Sequence, residues 1–317
     1  MAGFAQLFIA RLMLGFGEAV MHPASLRWIR YNFAEKERGL AIGVFMAGSK
    51  YGPAIGTVLA AWLIQTQGWQ AMFILMGLGG LLWLVPWLLF LPDDSATAER
   101  SLAGNASTAP AVPFRELLAQ RALWGTVVGT FCYMYFVYFS LTWLPSYLSD
   151  ARHLSLTSSS LYTTFSFAGM ATVGIFGGWW ADRLIVRGYD AVTVRRMFTI
   201  AGFLIASTEL FGAHTASLNT ALFFSIFSLS GLGLATANYW ALTQTLMPGA
   251  AVGRIVGIQN TAASLPGIVA PIVTGWLVQR TGTYESAMWA VFFFLLLGVA
   301  SYVFLVRRTP ERLTVAA

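Results

Sequence analysis

The stretch that decides the fold is "GGWWADRLIVRG", Gly177 to Gly188. It closes an apolar run and passes within twelve residues from paired glycines to an acid and two arginines. Glycines lack a side chain, so two helices can approach closely at such a point inside a membrane. Asp182 is placed where it can meet a helix end and interact with a neighbouring helix, while Arg183 and Arg187 hold the loop at a membrane surface. Breaking a charge cluster of this kind would alter the balance between two packed arrangements. The plainer alternative is an ordinary arginine-rich turn on the cytoplasmic side of a membrane.

The rest of the chain supplies the membrane. Of 317 residues 57% are hydrophobic and only 10% charged, with a mean hydropathy of +0.67. A soluble domain carries about 25% charged residues, so the solvent for this fold must be lipid. Cys132 is the single cysteine, which excludes an intramolecular disulfide and a cysteine-based metal cluster. Residues 1–10, MAGFAQLFIA, lack the basic region of a secretory signal.

A spanning helix needs about 20 mostly apolar residues. Nine such runs are legible, at 3–22, 40–64, 69–91, 123–149, 156–180, 197–213, 220–247, 254–278 and 284–306. Between the third and fourth lies PDDSATAERSLAGNASTAPAVPFRE, aperiodic and rich in Pro, Ser, Ala and Asp, which reads as a linker. The organisation is therefore a first helical group over 1–92, a central loop over 93–121 and a second group over 122–317.

Lys and Arg orient these spans. Arg11 and Lys50 lie inside them. One set of alternate connections holds Arg27, Arg30, Lys36, Arg38, Arg100, Arg115, Arg121, Arg183, Arg187, Arg195, Arg196, Arg254, Arg307, Arg308 and Arg312; the opposite set holds Arg152 and Arg280. Fifteen against two is a strong positive-inside bias. The central loop and the C-terminus are expected in the cytoplasm, and the first helix is expected to run from outside to inside. The net charge of +6 thus reflects topology and not an affinity for nucleic acid.

With those spans in place, Gly178, Asp182, Arg183 and Arg187 resemble the G-x-x-x-D-R/K-x-x-x-R signature loop of the major facilitator superfamily, found between helices 2 and 3 and echoed between helices 8 and 9. Placing it between helices 8 and 9 makes the nine spans helices 4 to 12 of a twelve-helix fold, and helix 4 of that fold runs inward, as the arginine count requires. Three further stretches resemble the superfamily's anion:cation symporter family. "RLMLGFGEAVMHPA", Arg11 to Ala24, is similar to its helix 4; "FSLTWLPSYL", Phe139 to Leu148, to its helix 7; "GIQNTAASLPGIVAPIVTGWLV", Gly257 to Val278, to its helix 11. The resemblance implies proton-coupled uptake of sugar acids and other carboxylates.

Charges inside the membrane are functional candidates, because each costs several kcal/mol unless paired or wetted. Arg11 and Glu18 leave one helix face about 10 Å apart, too far for direct pairing. The Arg11 guanidinium suits a substrate carboxylate; alternatively it pairs with a helix ahead of this chain. Glu18 is assigned proton coupling by the resemblance, or else makes an interhelical hydrogen bond. Lys50, near mid-membrane, departs from the small or amide residues of the family; it would favour an acidic substrate, a dicarboxylate among them, or would pair with Glu18. The resemblance puts Trp240, Asn260 and Ser264 in the substrate cavity, where Asn260 and Ser264 share a face suited to reading hydroxyls. Tyr133, Tyr135 and Tyr138 read as closing over a ligand or as packing. Glu209 and His214 read as interfacial, and His22 as a helix-end polar group. No metal-ligand cluster, phosphate loop or nucleophile elbow is legible, and no cofactor is expected.

The expectation is an all-α polytopic membrane protein of the major facilitator fold, with nine of twelve helices. It would act in the inner membrane as a monomer, its partners a small organic anion, a proton and the lipid bilayer. Two other readings stay open: an N-terminally truncated chain that transports nothing, and an efflux pump working by proton antiport.

Overall fold

The computed structural model describes residues 4–90, 113–247 and 251–306. Most of the central loop and the tail beyond Val306, with Arg100, Arg307, Arg308 and Arg312, lie outside the described residues. The described chain is almost wholly helical: α1 (Phe4–Ala19), α2 (Met21–Asn32), α3 (Arg38–Leu81), α4 (Leu84–Phe90), α5 (Phe114–Leu118), α6 (Arg121–Ser146), α7 (Leu156–Val186), α8 (Ala191–Ala206), α9 (Glu209–His214), α10 (Leu218–Leu246), α11 (Val252–Ser264), α12 (Pro266–Thr281) and α13 (Glu285–Phe304). Seven spans among the described residues are long and apolar enough to cross a membrane. The two other expected spans, 40–64 and 156–180, are helical within α3 and α7. A helix satisfies its backbone polar groups within its own segment, as that depth requires.

Local sequence explains where these helices start and break. Ser155, Asp190 and Ser217 cap α7, α8 and α10 by accepting from the amides of Ser158, Thr193 and Thr220, which relieves otherwise orphaned donors. The α8 cap moves a boundary. The sixth span was expected at 197, but Asp190 starts the helix at Ala191, so Arg195 and Arg196 sit on a helix and not in a loop. α3 runs 44 residues because the second and third expected spans are joined without a linker, turning at Gly68, whose φ of 85° suits glycine. Pro266 divides the eighth expected span into α11 and α12, since proline removes a helix hydrogen bond and crowds the preceding turn.

α10 lies at the centre, packed on α7 and α8 and touching α3, α6 and α9. α6 packs with α11, α12 and α13, while α2 reaches α11 and α3 lies along α7. A single buried cluster includes Leu26, Ile29, Ile42 and Met46 from α2 and α3 together with Tyr133, Phe136, Tyr239 and Trp240 from the second group. At the α3–α7 crossing, a Cβ on Gly178 would stand 2.1 Å from the Gly39 carbonyl oxygen. That approach requires glycine, and it sets the signature loop against the start of α3.

Candidate functional site

Two groups of polar residues are assembled by this packing, one at the end of the bundle carrying the signature loop and one deeper within it. In the first, Asp182 of α7 faces the N-terminus of α3. Its carboxylate accepts from the amides of Gly39 at 3.1 Å and Leu40 at 2.7 Å, a favourable place for an anion because first-turn amides lack helical partners and the helix dipole is positive there. Arg195, fully buried, donates to Asp182 at 3.1 Å. The same guanidinium donates to the Glu35 carbonyl at 2.6 Å and pairs with the Glu35 carboxylate at 3.3 Å. Arg38 donates to Glu35, Arg30 stands 3.6 Å away and Thr245 of α10 donates to it. Burial raises the Asp182 carboxyl above the usual aspartate value, opposed by Arg195 and the two α3 amides. The cluster ties the α2–α3 segment to α7, α8 and α10, and Gln244 adds a bond to the Leu26 carbonyl at 3.0 Å.

Arg183 and Arg187, expected to hold the loop at a membrane surface, are both exposed; Arg183 lies over the Trp179 ring at 5.1 Å. The residue that pairs with Asp182 is Arg195, which sequence reading counted only as a loop charge. The available signal was the pairing of the acid with an arginine thirteen residues on, across a turn capped by Asp190.

The second group centres on Trp240, 1% exposed. The His22 ring lies across Trp240 at 6.1 Å and 28°, and meets Phe45 edge-on at 5.8 Å. Lys50 is half-buried on α3, and it has no ion pair or hydrogen-bond partner among the described residues. Tyr51, beside it, shares a hydrogen bond with Thr172 of α7 at 2.7 Å. The Lys50–Glu18 pair entertained from the sequence is not formed, because Glu18 stands exposed on α1. His22 stands at the start of α2, as expected of a helix-end group, and its ring also stacks on Trp240.

The other sequence-predicted residues fall apart from this centre. Arg11 and Glu18 lie on α1, each described side chain of which is exposed. Asn260 is half-buried and Ser264 exposed, the Ser264 hydroxyl donating to the Asn260 carbonyl at 3.0 Å. Their neighbour Gln259 is the buried member of α11, donating to Thr130 at 2.7 Å and accepting from Thr243 at 2.9 Å. Tyr133 and Tyr135 are core residues, Tyr133 sharing a hydrogen bond with Thr236 at 2.8 Å. Glu209 is buried and accepts from Ser225 and Ser228, whereas His214 pairs with Glu285 at 2.5 Å. A cavity of about 830 Å³ between α2 and α3 is lined by apolar residues such as Trp28, Ile29 and Val44; of the His22 surroundings it includes only Phe45.

Known proteins place this arrangement. The Major Facilitator Superfamily profile matches residues 1–271. The hexuronate transporter of Bacillus subtilis (strain 168) is 31% identical over 297 residues, covering 90% of this chain and 69% of that protein. The "Probable L-galactonate transporter" of Escherichia coli (strain K12) is 28% identical over 316 residues, covering 96% and 70%. Among solved structures, the proton:xylose symporter XylE superposes with a TM-score of 0.65 at 16% identity, covering 90% of this chain and 67% of that one. The E. coli fucose:proton symporter FucP gives 0.63 at 14%, covering 97% and 77%. The fold and the relatives are those of membrane transporters and not of enzymes. The chain belongs to the Major Facilitator Superfamily, and within it to the anion:cation symporter type.

Proposed function

We propose that this protein takes up an organic anion of the sugar-acid class together with protons, by alternating access. The observation that carries the reading is Lys50, a cation in the membrane interior without a counter-ion among the described residues. An unpaired intramembrane charge costs several kcal/mol, and an anionic substrate supplies the missing partner. The names of the relatives support the same class: a hexuronate transporter, a probable L-galactonate transporter and a probable galactarate/D-glucarate transporter. Transporters of this type hold substrate near the bilayer midplane between two halves that rock about it. Arg11 binds the anion's head, Glu18 carries the proton, and Trp240, Asn260 and Ser264 line the cavity. Gly178, Asp182, Arg183 and Arg187 belong to the loop that sets the conformational balance, and the Asp182–Arg195–Glu35 cluster closes the cytoplasmic end. The protein lies in the inner membrane as a monomer with its central loop and C-terminus inside.

The test is uptake of labelled galacturonate and galactarate into proteoliposomes containing these 317 residues, under an inward proton gradient. Lys50→Met should lower uptake about tenfold or more, as expected for loss of a charge-assisted contact, while raising the melting temperature by removing an uncompensated buried charge. Glu18→Gln should abolish the response to the proton gradient. Absence of uptake by the unmodified protein, or unchanged uptake in Lys50→Met, overturns the reading.

A further inference from the structure

At the end of the bundle opposite the signature loop, α9 carries an acid that the transport reading leaves unused. Glu209 lies within the apolar span Ala191–His214 and is 4% exposed. Its two carboxyl oxygens accept from the hydroxyls of Ser225, at 3.2 Å, and Ser228 on α10, which stand three residues apart on one helix face. Gly212 lets the two helices come this close: a Cβ there would stand 2.9 Å from the Phe224 Cβ. The groups around the acid are committed elsewhere. α10 carries no charged residue over Leu218–Leu246, and on α13 Glu285 pairs with His214. Arg152, just past the Tyr147–Ala151 turn that follows α6, donates to the Tyr147 hydroxyl and to the carbonyls of Gly212, Ala213 and Thr215. Asp150 accepts from Ser149 and Tyr284. Among the described residues, Glu209 forms no ion pair.

We infer that Glu209 is a proton-binding site in the second helical group, separate from Glu18, and that its two serines serve both of its charge states. The inference stands apart from the anion-uptake reading. Ionised, the carboxylate accepts from both hydroxyls, which is the arrangement observed. Such a charge without a cation costs several kcal/mol inside a membrane, and a proton removes it. Protonated, one carboxyl oxygen becomes a donor. The Ser228 hydroxyl then accepts from it and turns its own hydrogen to the Ser225 carbonyl, 3.5 Å away, while Ser225 goes on donating to the other oxygen. Every donor keeps an acceptor in either state, so the proton comes and goes without leaving a buried polar group unpaired. It exchanges with water at this end of the bundle: His214, exposed at the end of α9, is five residues on, about 7.5 Å along the axis.

The experiment is an infrared titration of the purified full chain in lipid nanodiscs. Surface carboxyls are ionised above about pH 5, so a protonated-carboxyl C=O band that fades between about pH 5 and pH 9 belongs to an interior acid. Labelling the glutamates with carbon-13 separates their band from that of Asp182. The unmodified protein should show a titrating glutamate band, Glu18→Gln should keep it and Glu209→Gln should lose it. Ser228→Ala keeps the acid and removes one donor to its ionised form, so the midpoint should move upward by about one pH unit or more; this variant decides the matter should Glu209→Gln not fold. A glutamate band that is absent, that does not titrate or that persists in Glu209→Gln overturns the inference. So does its loss in Glu18→Gln, or an unmoved midpoint in Ser228→Ala.

Discussion

Replacing Asp182 by Ala removes the one group that α3, α7 and α8 share. The carboxylate accepts two amides from the start of α3 and one guanidinium N–H from Arg195, and both charged side chains are at most a few per cent exposed. Deleting one partner of a buried pair costs about 3–5 kcal/mol, since the other charge is left uncompensated. Arg195 keeps Glu35, so the lower figure, about 3 kcal/mol, applies. These bonds exist only while α3 and α7 are in contact, so the loss falls on the closed arrangement alone. At about 1.4 kcal/mol per decade, the equilibrium moves about a hundredfold toward opening at this end. The assay uses the single native cysteine, which is buried, as a silent background. A cysteine introduced at Tyr51, beside Lys50, is labelled with a membrane-impermeant maleimide in inside-out vesicles. Labelling should accelerate by at least tenfold in Asp182→Ala, and less in Asp182→Asn, which keeps one acceptor oxygen. A labelling rate and a melting temperature equal to those of the parent would refute the assignment of Asp182 to the closing contact.

Three further outcomes follow from the same geometry. Gly178→Ala places a Cβ 2.1 Å from the Gly39 carbonyl oxygen; with backbone on both sides, overpacking should cost about 1–3 kcal/mol, read as a lower melting temperature and faster labelling in the assay above. Gln259→Leu leaves the Thr130 hydroxyl without the donor it now accepts from, and should destabilise by about 1–3 kcal/mol in thermal melts; Thr243 is spared because it also donates to the Tyr239 carbonyl. Because burial raises the Asp182 carboxyl above its ordinary value, the folded protein holds that proton more tightly than the unfolded chain does. The part of its contribution to stability that is linked to that proton is present below about pH 4, the ordinary aspartate value, and is lost as pH rises through the raised one, while the bonds to Arg195 and the α3 amides remain. Melting curves of Asp182→Asn should therefore vary less over that interval, and an identical pH profile would contradict the account.

Fold class was legible because the relevant signals are local. Twenty apolar residues suffice to span a bilayer wherever they occur, so the hydrophobic runs announce membrane helices without any knowledge of packing. Helix ends were less legible. Asp190 reads as a cap only once the helix is known to start there, which is why Arg195 was assigned to a loop and is instead buried between Asp182 and Glu35. His22 shows the same limit: beside Pro23 it looks like a terminal polar group, and its role depends on α10 bringing Trp240 against it. Glu209 was read as interfacial because it lies near a span end, yet two serines of α10 enclose it.

The sequence by itself determined the solvent of this protein, the number of its hydrophobic runs, the position of the signature loop and the presence of charges that a membrane interior does not tolerate alone. Each is a property of composition or of neighbours along the chain. Tertiary structure decided which charges meet. Asp182 finds Arg195 and the start of α3 because two glycines let α3 and α7 touch, and Lys50 meets no acid among the described residues. Charge interactions act over a few ångströms of space, and no spacing along the chain specifies distances between helices joined by long connections.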